Sequence, residues 1–249
     1  MDAQIIAVFS TKGGVGKTTT AVCLAALAAR EGPTLLWDLD AQGASTYLLQ
    51  VKPKLKHGVA ALVEGRTGVR DLIRESPVPG LDVLPADPSY RSLAGDLDAA
   101  KKSSKRLAKV LGPVRAHYRT IVLDCPPESS TVAVAALRAA DTVLVPLPPA
   151  PLSLRSLDQV AELVEDSEVP PRLVGFLSMV DRRRKAHREA QTMLPATRPE
   201  VLPITVPSSV VVERMGFERA PLSEFAPKSA AAQALQELWE AVRAPAPSE

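Results

Sequence analysis

Cysteine is nearly missing from this chain: Cys23 and Cys125 are the only two in 249 residues. Neither has metal-site spacing, and two thiols without a pattern suit a reducing cytosol. Long apolar runs are missing as well. The longest stretch, near Val132 to Val145, is broken by Arg138 and Asp141, so no segment reads as a membrane span. No secretory leader opens the sequence, because Met1 to Gln4 leads straight into an apolar run. A strong charge bias is also lacking. The net charge is +2, so any contact with nucleic acid must come from local patches. A cytoplasmic protein is expected, with one domain over residues 1–243 and a frayed tail over 244–249.

What is present is an alternation of short apolar runs and helical stretches. Ile5–Phe9 reads as a first strand and Thr18–Arg30 as its helix, closed by Gly32 and Pro33. Further runs follow at Thr34–Leu39, Leu81–Leu84, Thr120–Leu123, Thr142–Val145, Leu173–Leu177 and Val201–Ile204. Continuous apolar runs between helices predict an α/β fold: a doubly wound, mostly parallel sheet covered by helices on both faces. Ligands of such sheets bind beyond the carboxyl ends of the strands, where each motif below falls.

The first motif is Lys12-Gly13-Gly14-Val15-Gly16-Lys17-Thr18-Thr19, between the first strand and its helix. Its second half is a phosphate-binding loop. Backbone N–H groups and the positive end of the helix face the phosphates. Lys17 offsets the β- and γ-phosphate charge, and the Thr18 hydroxyl holds Mg²⁺. Thr11 stands where the ordinary pattern asks for glycine, and Lys12 is extra. The second motif, Asp38-Leu39-Asp40-Ala41-Gln42-Gly43, puts two carboxylates at i and i+2, expected to emerge together at the ligand edge. An aspartate pair opening a surface turn is the alternative. The third, Ile121-Val122-Leu123-Asp124-Cys125-Pro126-Pro127, is a strand ending in an aspartate, the Walker B arrangement in which the carboxylate holds a Mg²⁺-bound water. Spacing alone leaves Glu128 open as another base.

Together these residues resemble the ParA/MinD family of ATPases, whose deviant P-loop reads K-G-G-x-G-K-[ST]. The resemblance runs from Ile5 to about Val242, with no recognisable motif between about Val51 and Lys109. It implies ATP and Mg²⁺ as ligands. It also implies that Lys12 reaches across an ATP-dependent homodimer to the partner's phosphates; an ordinary exposed loop lysine is the alternative. The family segment D-x-D-P-Q-G is matched except at Ala41. By that likeness Asp40 orients the attacking water and Asp38 lies nearer the metal shell, while the loop after Asp124 acts as a switch. Relatives often carry Asn where this chain has Ser178, within a segment that contacts adenine. Val206-Pro207-Ser208-Ser209 resembles the family's later nucleotide loop, so Met179 and Pro207 are expected to sandwich adenine, with ordinary loop packing as the alternative.

Basic residues point to the cargo. Arg182, Arg183, Arg184, Lys185 and Arg188 place five formal positive charges within seven residues. Arg214 and Arg219 lie further on, and Lys101, Lys102, Lys105 and Arg106 form a second set. Such clusters attract duplex DNA through its phosphates without reading sequence; a solvated arginine face is the alternative. The leading expectation is a ParA/Soj-type partition ATPase on the nucleoid. It would bind nonspecific DNA as an ATP dimer, and a ParB-like centromere-binding protein would stimulate it. A MinD-like membrane- or cargo-positioning ATPase is the second reading. It needs an amphipathic membrane helix, whereas the last helix, 228–243, has a Gln/Glu-rich polar face and reads as docked on the core. With four residues ahead of the first strand, no operator-reading extension is expected.

Overall fold

The apolar runs become the strands of one sheet. The computed structural model describes residues 3–53, 58–91, 103–127, 129–150, 152–165 and 167–243. Its strands are β1 (Gln4–Val8), β2 (Thr34–Asp38), β3 (Arg74–Glu75), β4 (Leu81–Leu84), β5 (Thr120–Asp124), β6 (Thr142–Leu147), β7 (Arg172–Val180) and β8 (Val201–Pro207). Helices are α1 (Lys17–Ala29), α2 (Ala44–Leu48), α3 (Gly58–Val63), α4 (Val69–Leu72), α5 (Ser103–Arg115), α6 (Thr131–Ala139) and α7 (Leu152–Glu165). They continue as α8 (Lys185–Thr197), α9 (Val210–Glu213), α10 (Met215–Glu218), α11 (Leu222–Phe225) and α12 (Ala230–Arg243).

The spatial order is β3-β4-β2-β5-β1-β6-β7-β8, parallel throughout except for β3 against β4. The two-residue β3 is too short to show any period and is not among the expected strands. Strands β7 and β8 run further towards their carboxyl ends than the apolar runs suggest, reaching Val180 and Pro207. Alternate residues face opposite sides. Ile5, Ala7, Leu35, Trp37, Ile121 and Leu123 pack under one helical layer, and Ile6, Val8, Leu36, Val122 and Leu144 under the other.

Helix α1 lies in the second layer, between the sheet and α12, and every residue from Thr20 to Ala28 is buried. That explains its composition: small alanines allow close approach on all sides, so no polar face is needed. Helix α12 packs Leu235, Leu238, Trp239 and Val242 into the same layer, the docked arrangement expected from its sequence. Among the described residues no helix is long and apolar enough to cross a membrane.

Candidate nucleotide site

The loop after β1 turns over glycines that the backbone requires. Gly14 has φ +70° and Gly16, capping α1, has φ +92°, a region that only glycine enters freely. A second constraint acts at Gly16. A Cβ there would meet Ser178 Oγ at 3.1 Å, and the buried Ser178 hydroxyl itself donates to the Val15 carbonyl at 2.9 Å. Ser178 therefore holds the phosphate loop against β7. Its small size is what allows the loop to sit so close, a role the sequence did not disclose.

Lys17 is buried and its Nζ donates to the Lys12 carbonyl at 3.1 Å. Burial lowers its pKa, opposed by the charges of Asp124 and Asp40. Lys12 is half-buried, and its N–H donates to Ser10 Oγ. Gly13, Gly14, Gly16, Lys17, Thr18, Thr19, Asp40, Pro127, Met179 and Val212 line one cavity of about 380 Å³. A larger cavity, about 590 Å³, opens beside Gln4, Glu31 and Trp239 and contains no motif residue.

The two aspartates after β2 part company, contrary to the expectation that they emerge together. Asp38 ends the strand and is fully buried. Its Oδ2 accepts the N–H and the hydroxyl of Thr46, at 2.8 and 2.7 Å. Its Oδ1 accepts the Asp40 N–H at 3.3 Å. The chain leaves the strand after Asp38, so the two-residue alternation stops, and only Asp40 reaches the cavity. Asp40 Oδ1 accepts the Gln42 N–H at 2.9 Å, making the turn that leads into α2. Ala41, in place of the family proline, leaves this turn closed by its own hydrogen bonds, including Gly43 N–H to the Asp40 carbonyl.

Asp124 ends β5 in register with Asp38 and Val8. Its Oδ2 accepts the Ser45 hydroxyl at 2.7 Å, while its buried Oδ1 has no partner. Burial raises the Asp124 carboxyl; the hydroxyls of Ser45 and Thr18 lower it, Asp40 raises it, and Lys17 lowers it. Thr18, at the start of α1, is thus close enough to act on the Asp124 carboxyl. Asp38 is raised as well, by burial first and then by Asp124. Two buried carboxylates, one of which keeps an unpartnered oxygen and feels Lys17 and Thr18, suit a hydrated hard cation. Glu128 lies outside the described residues.

Met179 ends on the cavity, 45% exposed and with φ +59°; Pro207 closes β8 opposite Val180. Sequence reasoning missed Val212, which lines the same cavity; its only signal is the valine triplet after Ser209. The basic residues separate into two groups. Arg182, Arg184 and Arg188 are exposed and have no carboxylate partner among the described residues, whereas Arg183 pairs with Asp181 and Lys185 with Glu189. Arg188 donates to the carbonyls of Arg182 and Arg183, and the Asp181 N–H donates to His187 Nδ1, so the segment is folded on itself. Arg214 pairs with Glu218 and lies over the Phe225 ring; Arg219 stacks on the Tyr47 ring at 4.5 Å and donates to the Tyr47 carbonyl. Both arginines are engaged in packing α2, α10 and α11. Lys101 and Lys102 lie outside the described residues, as do the side chains of Lys105 and Arg106.

A glycine-turned loop, a buried lysine and two aspartates at the carboxyl ends of a parallel sheet define a P-loop nucleotide-binding protein. Residues 3–169 match a family model described as an AAA domain. The chain is 35% identical over 216 residues to "Chromosome partitioning protein ParA" of Myxococcus xanthus, covering 83% of this chain and 76% of that one. It is also 35% identical over 163 residues to "Sporulation initiation inhibitor protein Soj" of Bacillus subtilis, covering 65% and 64%. The ATP complex of a Cyanothece McdA variant superposes with a TM-score of 0.85 at 18% identity, over 100% of this chain and 99% of that one, and so shares the fold. The chain belongs to the ParA/Soj family of P-loop partition ATPases.

Proposed function

We propose that this chain is an ATP-hydrolysing DNA-partition protein of the nucleoid. In this reading it closes into a homodimer on ATP, holds nonspecific duplex DNA as that dimer, and returns to the monomer after hydrolysis stimulated by a ParB-like partner. The observation that carries the reading is the single cavity shared by the Gly13–Thr19 loop and Asp40, together with a buried Asp124 that keeps one unpartnered oxygen and feels Lys17 and Thr18.

Lys17 and the loop N–H groups bind the phosphates, and Met179 and Val212 border the base. Thr18 and Asp124 hold Mg²⁺, which supplies charge neutralisation at the phosphates. Asp38 stands behind them as the anchor of α2. Asp40, fixed by the turn over Gln42 and Gly43, orients water for attack and accepts its proton. Lys12 brings a positive charge to the dimer interface, where two triphosphates would otherwise repel each other. Arg182, Arg184 and Arg188 supply the uncompensated charge that meets DNA phosphates, doubled when two subunits present one surface. The membrane-directed alternative lacks support, because α12 packs its apolar face into the core.

The deciding experiment is binding to a random-sequence duplex across a salt series, with and without ATP and Mg²⁺, for the wild type and Lys12→Ala. Tight, salt-sensitive binding that needs ATP and is lost in Lys12→Ala supports the reading. ATP-dependent dimers that ignore DNA would overturn the DNA assignment.

A further inference from the structure

Helix α2 is only five residues long, yet consecutive side chains tie it to three separate places. Ser45 reaches Asp124, Thr46 reaches Asp38, and Tyr47 lies under the Arg219 guanidinium. The Thr46 hydroxyl also accepts the Ala86 N–H at 2.9 Å, so Thr46 is a structural tie between β2 and the segment after β4. Ser45 differs, because its partner is, among the described residues, the buried carboxylate that keeps an unpartnered oxygen.

An aspartate carboxyl turns easily about its last bond; that torsion is broad and nearly two-fold, so the side chain alone does not decide which oxygen faces which way. In Asp124 the decision falls to Ser45. With Oδ2 held at 2.7 Å by a buried hydroxyl, the carboxyl keeps one orientation and leaves its buried Oδ1 without a partner. We propose that Ser45 is the positioning residue of the magnesium site, fixing Asp124 so that Oδ1 receives the hydrated cation. The inference rests on the ATPase reading and assigns a role to a residue outside all three nucleotide motifs. Because Ser45 follows Asp40 by five positions through a short turn, it also ties the water-orienting segment to the state of Asp124.

The test is the affinity for a fluorescent ATP analogue, titrated at fixed nucleotide against Mg²⁺ and separately in EDTA. It uses the full chain as wild type, Ser45→Ala, Asp124→Asn and the double variant, with thermal melts checking the fold. Removing a partner that orients a metal ligand typically weakens metal affinity 10- to 100-fold. The half-saturating Mg²⁺ concentration of Ser45→Ala should therefore rise about 10-fold, with unchanged affinity in EDTA. In the Asp124→Asn background the Ser45 substitution should add little, since both act through one group. Ser45→Thr, which keeps the hydroxyl, should restore the Mg²⁺ response.

Equal Mg²⁺ dependence in Ser45→Ala and wild type would overturn the positioning role and leave the ATPase reading standing. So would a loss of affinity that is the same with and without Mg²⁺, or a Ser45 effect that persists in full beside Asp124→Asn. A wild-type chain that binds no ATP would overturn both.

Discussion

Two polar regions of this molecule work by opposite rules. Around Asp38 and Asp124 the charges are buried and the donors are assigned one by one: Thr46 and the Asp40 N–H to Asp38, Ser45 to Asp124. Along Arg182–Arg188 the charges are exposed, two are paired with nearby carboxylates, and the remainder face water. In a low-dielectric centre a displaced hydroxyl changes the energy of every neighbour, so geometry dominates. At a solvated surface the number of uncompensated charges dominates and their exact placement matters little. The first region is suited to chemistry on one phosphate, the second to a partner presenting many equivalent phosphates.

The contrast is broken most severely at Lys17. Lys17→Ala removes the buried phosphate counter-charge, and ATP affinity should fall about 100-fold, which corresponds to losing one or two charge-assisted hydrogen bonds. Unaltered affinity by calorimetry would refute the loop assignment. Next comes the surface: neutralising Arg182, Arg183 and Arg184 together should lower the salt slope of DNA binding by about 1 for each DNA phosphate no longer neutralised. ATP affinity should stay unchanged, and stability should shift by less than about 0.5 kcal/mol. A loss of ATP binding in that variant would mean the two regions are not independent.

A smaller effect is expected from Thr46→Val, which keeps the shape of the side chain but leaves Asp38 and the Ala86 N–H each short of one partner. The cost should be about 2 kcal/mol, or about 4–8 °C in Tm. An unchanged melt would show that Asp38 has other donors.

The smallest effect is on pH dependence. Burial and mutual repulsion raise Asp38, while burial is the leading cause for Asp124. The folded chain therefore keeps protons that the unfolded chain releases. Stability from this source is complete below the ordinary carboxylate pKa of about 3.9 and is lost as pH rises through the raised folded values. Asp124→Asn should flatten the fall in Tm between about pH 4 and pH 7; an identical slope in the variant would mean that the pair holds no proton.

Much of this was legible in the residues. The parallel sheet declared itself because strands buried on both faces become unbroken apolar runs, and the loop after β1 did so because its turn needs glycine at Gly14 and Gly16. Asp38 was misjudged because i, i+2 alternation holds only while the strand continues, and this one stops at Asp38 itself. Ser45, Thr46 and Ser178 were silent for a different reason. A small hydroxyl residue is as common in an exposed turn as beside a buried carboxylate, and only tertiary packing separates the two cases.

Helix α1 has one more consequence. From Thr20 to Ala28 it is enclosed by the sheet and α12, so its backbone amides can exchange with deuterium only when the whole molecule opens. Binding at the loop beside its first turn should slow that exchange by the full stabilisation that mass action confers, with no local contribution. The interior of α1 is thus a built-in gauge of ligand affinity, whereas any additional slowing in α2 reports motion of that segment alone.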